Sequence, residues 1–413
     1  MFKFKLLLPA LLIWSGLSAA DTLGIEQVRA LARASSPLQQ IKTLNASYSL
    51  LENRQLKSDF LPNIQFRGQA SYQSDVFTLP IDNPLFPVPE IPKDQYNLSA
   101  NITQRIYDGG AAKLTRVQNL IREELESAQT DGEVYKIEML VTELYANALL
   151  LQESIDALQS AETDLVRRKE QIDAMVREGV ALRTAADEVL IAQLKLEEQI
   201  QALEADFKSL KEVIALWTNR ENADFELRMD AVQETSIDAR PEMRQFTLTE
   251  KQIHSYSDLL SIKNQPKLEA FAQGGLGSPN PLNFFETDFQ PYAMVGLRAV
   301  WTPIHWGNTN RDRQLLEIKS QQVSAKRDAF EKSYAANKKS KTDQAAKFQN
   351  MVEQDKRIIE LHQSILERAE AQQKNGVITT TEYLSKFENL TQAQLTLRQH
   401  EVQAWRANQL AQL

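Results

Sequence analysis

Residues 95 to 103 read Gln95-Tyr96-Asn97-Leu98-Ser99-Ala100-Asn101-Ile102-Thr103, an alternation without a break. Successive side chains of a strand point to opposite faces, so Tyr96, Leu98, Ala100 and Ile102 share one side and the five polar residues share the other. Residues 63 to 73 repeat the pattern, with Ile64, Phe66, Ala70 and Tyr72 opposite Asn63, Gln65, Arg67, Gln69, Ser71 and Gln73. A half-buried hairpin alternates in this way. So does a strand of a membrane barrel, which needs an apolar side toward lipid, a wettable side toward a lumen and about ten residues to cross.

A second pair of alternating stretches lies roughly 200 residues further on. Leu268, Ala270 and Ala272 form one, and Ala293, Val295, Leu297 and Ala299 form the other, ahead of Trp301. Arg298 and Val300 share the opposite face there, which predicts a bulge or a change of phase. Other landmarks recur at the same interval: Leu61-Pro62-Asn63-Ile64 with Gln265-Pro266-Lys267-Leu268, Ile106-Tyr107-Asp108-Gly109 with Ile304-His305-Trp306-Gly307, and Glu178-Gly179-Val180 with Asn375-Gly376-Val377. The pattern predicts two internal repeats, 21–218 and 240–413, joined by a linker at 219–239, each with a helix ahead of its strand pair. The strand pairs are expected at about 63–75 with 95–106 and 267–275 with 291–302. Pro80, Pro84, Pro87, Pro89 and Pro92 in the first copy, and Pro279 and Pro281 in the second, predict exposed connections. Four strands cannot close a barrel, and each unpaired backbone group left in hydrocarbon costs several kcal/mol. Strands that cross a membrane here therefore require partner chains, and three copies would supply twelve.

Long helices follow each strand pair. No proline interrupts residues 110–178, a length that reaches on the order of 100 Å at the helical rise. Val134, Ile137, Val141, Leu144, Ala148, Leu151, Ile155 and Leu158 are spaced three and four apart, a heptad seam that continues through Leu165, Ile172 and Val176 past Glu162 and Lys169. The second long helix, 308–374, carries Met351, Ile358, Leu361 and Ile365 in similar spacing, and Lys338, Lys339 and Lys341 in its polar middle are expected to be solvated. Each long helix ends in a glycine followed five residues later by threonine, Gly179 with Thr184 and Gly376 with Thr381. Glycine suits the left-handed residue that stops a helix. Thr184 with Asp187, and Thr379 with Glu382, have the spacing of capping pairs, so return helices are expected over 185–217 and 382–411.

The amino terminus sets the compartment. Lys3 and Lys5 precede the apolar run Leu6 to Leu17, and Ser18-Ala19-Ala20 offers small residues for cleavage, so residues 1–20 read as a secretory signal peptide. The chain of 413 residues has no cysteine, which excludes disulfides and the acylation site of a bacterial lipoprotein. Its formal charge is −8, and loss of Lys3 and Lys5 leaves 45 basic against 55 acidic side chains, a balance that argues against nucleic acid as a partner. No later stretch offers about 18 uninterrupted apolar residues, so any crossing is by strands. The four histidines, His254, His305, His362 and His400, have no metal-ligand spacing, and Gly274-Gly275-Leu276-Gly277 lacks the lysine and Ser/Thr of a phosphate loop. No catalytic site, metal site or cofactor is expected, and the chain does not read as an enzyme.

Taken in order, the leader, the two repeats, the paired alternating strands and the Gly-Val-x-x-x-Thr tips resemble the TolC-like outer-membrane factors over the mature length. Ile106-Tyr107-Asp108-Gly109-Gly110 and Trp301-Thr302-Pro303-Ile304-His305-Trp306-Gly307 are similar to that family's strand-to-helix junctions. The resemblance implies a mainly α chain with a membrane β-barrel: a homotrimer whose twelve-stranded barrel in the outer membrane is continued by a twelve-helix periplasmic α-barrel. It also implies a passive duct for efflux or type I secretion, reached by an inner-membrane transporter through a periplasmic adaptor. By the same likeness Gly179, Val180, Thr184, Gly376, Val377 and Thr381 fall where adaptor hairpins dock. Glu382 falls at an acidic periplasmic aperture whose second expected acid is Ser385 here; in the first tip the position matching Glu382 is Ala185, with Asp187 and Glu188 nearby. Two alternatives stay open on the residues themselves. Glu382 serves a constriction or only caps its helix, and Trp301 and Trp306 belong to an interfacial aromatic belt or to a core. The competing reading of the whole chain is a coiled-coil periplasmic adaptor or scaffold without a pore.

Overall fold

The computed structural model describes residues 21–78, 90–231, 236–283 and 285–412. The signal peptide over 1–20 and Pro80, Pro84, Pro87 and Pro89 lie outside the described residues. The chain runs β1 (Asp21–Leu23), α1 (Ile25–Ser35), α2 (Leu38–Ser58), β2 (Asn63–Tyr72), β3 (Asp94–Tyr107), α3 (Ala111–Arg177), α4 (Arg183–Thr218) and β4 (Phe225–Leu227), then α5 (Pro241–Ser261), β5 (Lys267–Ser278), β6 (Gln290–Val300), α6 (Asn308–Lys374) and α7 (Thr380–Gln412). Short 3₁₀ turns at Ile237–Ala239 and Ile262–Asn264 flank α5. No helix among the described residues is long and apolar enough to cross a membrane. The contacts divide the chain into two compact units, and α3 and α6 each contribute residues to both.

One unit comprises Gln40–Gly132 and Asp238–Phe330 and holds an antiparallel sheet in the order β2-β3-β5-β6. Its register sorts the side chains. Phe66 pairs with Ala100, Leu98 with Leu276, and Ala272 with Val295, so the apolar residues of all four strands share one face. That face is bare: Phe66 is 82% exposed and Val295 80%. The opposite face carries the polar set, Gln65 beside Asn101 and Asn101 beside Gln273. The outer edges of β2 and β6 have no partner strand among the described residues, so the sheet is open.

The irregularity expected near Arg298 lies elsewhere. β5 and β6 keep one register from Lys267↔Val300 to Gly277↔Gln290, and the slip falls in β3 between Arg105 and Tyr107. Arg298 and Val300 share a face without any slip, because that face also holds Tyr292 and Phe271 and is not uniformly polar. Gly274 to Gly277 lie inside β5, paired with Asn97 to Ala100. After β3, Asp108 accepts hydrogen bonds from the Gly110 and Ala112 amides at 2.9 and 2.7 Å and so opens α3. Trp301 and Trp306 are both exposed rather than packed in a core, and the Trp301 Nε1 donates to the Asn264 carbonyl at 2.9 Å.

The described residues of the other unit fall within 21–39, 133–237 and 331–412. β1 pairs in parallel with β4, and Leu23, Ile25, Val28 and Ala32 pack with Val141, Tyr145, Leu149, Ile214, Val402 and Trp405. The Tyr145 phenol lies 2.7 Å from the Leu23 carbonyl and accepts from the Arg228 amide at 2.9 Å. Burial raises its pKa to about 12, a shift the Arg228 backbone bond opposes. A second apolar cluster joins Leu158, Leu165 and Ile172 of α3 to Val189, Leu196 and Ile200 of α4 and to Tyr383, Leu384 and Phe387 of α7.

The side of α6 that packs differs from the one its apolar residues suggest. Ile358, Leu361 and Ile365 are exposed, while Ala345, Asp355, Ile359 and Ala369 are buried. Polar residues hold the packed side: His400 of α7 meets Asp355 at 2.6 Å, with its ring 5.8 Å from that of Phe348. Of the three lysines expected to be solvated, Lys339 is exposed and pairs with Asp343 at 2.5 Å, and Lys338 and Lys341 are half-buried on the side that carries Ala345.

Candidate functional site: the paired helix tips

The α3–α4 and α6–α7 hairpins stop in the same way. Gly179 donates to the Val176 carbonyl at 3.1 Å and Val180 to Met175 at 2.8 Å; Gly376 donates to Gln373 at 3.0 Å and Val377 to Gln372 at 2.9 Å. This pair of bonds satisfies the last carbonyls of a helix only when the residue past its end is left-handed. Gly179 has φ +75° and Gly376 φ +68°, a region closed to most side chains. A Cβ at either would meet nothing within 4 Å, so the requirement is one of backbone conformation alone.

The two return helices start differently. At the second tip Thr379 and Glu382 form the expected reciprocal cap: the Thr379 amide donates to Glu382 Oε2 at 2.9 Å and the Glu382 amide to Thr379 Oγ1 at 3.2 Å. At the first tip the expected pair of Thr184 and Asp187 makes no cap. α4 begins at Arg183, with Leu182 in the extended capping position and no side-chain bond, because the place filled by Thr379 in the second tip, three residues after the glycine, holds a leucine with no side-chain oxygen. Thr184 already lies within the first turn of α4 and is freed from that duty.

Between the tips lies a groove of about 330 Å³. Val180, Thr184 and Glu188 line it from the first hairpin, and Ile378, Thr380 and Thr381 from the second. Of the residues singled out in the sequence, Val180, Thr184, Glu188 and Thr381 are thus brought together. Val377, Asp187, Glu382 and Ser385 are exposed and lie outside this lining, as do the two turn glycines.

The sequence pattern missed the residue at the centre. Arg168 is buried; its Nη1 donates to Gln171 at 2.9 Å and to Glu370 at 3.2 Å, and its Nη2 donates to Gln373. The guanidinium lies 4.5 Å from the centroid of the Tyr383 ring. Gln373 in turn donates to Thr380 Oγ1 at 2.9 Å, so one cation ties α3 to α6 and α7. Burial raises the pKa of the Tyr383 phenol, Arg168 opposes that shift, and Glu370 and Asp164 add to it. The signal for Arg168 was its spacing. It sits three residues after Leu165 and four before Ile172, a charged residue at a buried seam position, whereas Glu162 and Lys169 are only partly buried. No group of three or more potential metal ligands occurs among the described residues.

The sequence matches no known family model and no curated protein. Solved structures do match. The outer membrane protein VceC from Vibrio cholerae superposes with TM-score 0.65 at 12% identity over 94% of this chain and 94% of its own. The Campylobacter jejuni CmeC outer membrane channel gives TM-score 0.62 at 12% identity, covering 94% and 86%. The open state of the Neisseria gonorrhoeae MtrE outer membrane channel gives 0.63 at 13%, covering 94% and 87%. At such identities the likeness is one of fold: the chain has the fold of the TolC-like outer-membrane channels.

Proposed function

We propose that the chain is the outer-membrane channel of a tripartite efflux or type I secretion system, a passive exit duct rather than an enzyme. The observation that carries this reading is the four-stranded sheet, with exposed apolar side chains from every strand on one face, Phe66, Leu98, Leu276 and Val295 among them, and both edges unpaired among the described residues. A bare apolar face of this kind is costly in water and satisfied in lipid, and open edges are satisfied when neighbouring chains continue the sheet. Three chains, each contributing two repeats, make a twelve-stranded barrel in the outer membrane and a twelve-helix periplasmic tube. The fold shared with VceC, CmeC and MtrE supports that assembly.

In this reading the groove between the tips receives the hairpin of a periplasmic adaptor, which links the duct to an inner-membrane transporter. Its size and its threonine-rich lining with Val180 and Ile378 suit a helical partner with mixed apolar and polar contacts. Glu382, exposed beyond its cap, lines the periplasmic aperture together with Ser385, and Asp187 and Glu188 lie in the corresponding part of the first tip. A coiled-coil adaptor without a pore shares the long helices but has no use for a sheet with one largely apolar, exposed face.

Planar-bilayer recording and sedimentation of the detergent-solubilised protein test the proposal. A trimer that conducts ions, recovered from outer membranes after salt washing, is the expected result. A monodisperse monomer released by salt overturns it.

A further inference from the structure

We infer that the wettable side of the sheet gives the membrane section of the pore a preference for anions; the inference rests on the channel reading above. Cross-strand partners share a face, so the register places Arg67, Arg105, Lys267 and Arg298 together on the polar side. Arg105, Glu269 and Arg298 occupy one row across β3, β5 and β6, with Arg298 Nη1 3.2 Å from Glu269 Oε1. Arg105 lies 3.7 Å from Asp59 at the end of α2. Arg67 stands in mid-strand opposite Ser99, and Lys267 opens β5 opposite Val300. Neither has a carboxylate within ion-pair distance among the described residues.

Four cations therefore face two carboxylates, an excess of two positive charges on this side of a chain whose total charge is −8. The sign of the face is opposite to that of the molecule. A wall of low dielectric focuses such a field into the water it encloses, and rings of Arg and Lys favour anions in pores. Three copies bring six excess positive charges to one lumen. Small inorganic anions and solutes bearing carboxylate or phosphate groups are the class such a section concentrates.

The test uses the full-length trimer in planar bilayers under a potassium chloride gradient at low ionic strength, where screening is weakest. The chloride-to-potassium permeability ratio is read for the wild type, Arg67→Gln, Lys267→Gln and Arg67→Lys. Each glutamine change should lower the ratio by about twofold with conductance retained, while the charge-preserving Arg67→Lys keeps the wild-type ratio. An unchanged ratio in both glutamine variants, or an equal fall in Arg67→Lys, overturns the inference while leaving the duct intact. A folded wild-type trimer that passes no current overturns the channel reading itself.

Discussion

At the scale of single residues, Arg168 organises the groove between the tips, and Arg168→Ala strips Glu370 and Gln373 of a charged donor and Tyr383 of its cation. Loss of about 1–3 kcal/mol is expected in denaturant unfolding, with faster hydrogen exchange at Gln372 to Thr381. Lysine at this position should restore little, because it lacks the planar fork that reaches two acceptors. Tyr145 gives a pH-dependent counterpart. Its phenol ionises near 10 in the unfolded chain and only at about 12 in the fold. The unfolded state thus releases its proton first, so the stabilisation is intact below pH 10 and is lost as pH rises from about 10 to 12. Tyr145→Phe should flatten that part of the alkaline stability curve and cost roughly 1–3 kcal/mol at neutral pH through the bonds left unmade at Leu23 and Arg228. Gly179 and Gly376 were readable because a positive φ leaves few choices of residue. Alanine at either, with nothing to clash against, should cost about 1–2 kcal/mol of backbone strain and disturb the tip while the proposed trimer still forms on sedimentation. Arg168 was not readable as a tie, since a charged residue inside an apolar spacing looks like a solvated interruption until its partners on two other helices are known.

Among the elements, the strands and α3 were the most legible. Their apolar residues gather on one face of each element, so the period is visible in the sequence. Leu158, fully buried on α3, should cost about 2–5 kcal/mol when changed to alanine. α6 misleads for the opposite reason. Asp355, whose carboxylate meets His400, holds the intrachain side, and the apolar residues that dominate its sequence pattern face outward. Leu361, 65% exposed, belongs to that outward stripe with Ile358 and Ile365. Leu361→Asp should therefore leave helix content unchanged by circular dichroism but, if the proposed trimer packs on this stripe, shift sedimentation toward monomer. The start of α4 was misplaced because Leu182, which occupies the capping position, carries no capping side chain, while Thr184 and Asp187, though at capping spacing, lie inside the helix. The pairing of β1 with β4 left no periodic trace, each strand being three residues long.

For the whole molecule, the pairing order β2-β3-β5-β6 could not be read from the sequence, although each strand could. Adjacency of β3 and β5 depends on segments about 170 residues apart, a distance over which no local pattern speaks. The same long reach governs the other unit. Val402 and Trp405, from the last helix described, sit in the apolar cluster with Leu23, Ile25 and Val28 from the first elements; Trp405 also donates to the Asp230 carbonyl, and Arg29 of α1 to Gln409. The hydrophobic interior that seats α1 is thus unfinished until residues beyond 400 have been made. A growing chain therefore carries that surface uncovered until its last helix is made, so a frameshift in the final dozen codons should be as damaging as one near the start.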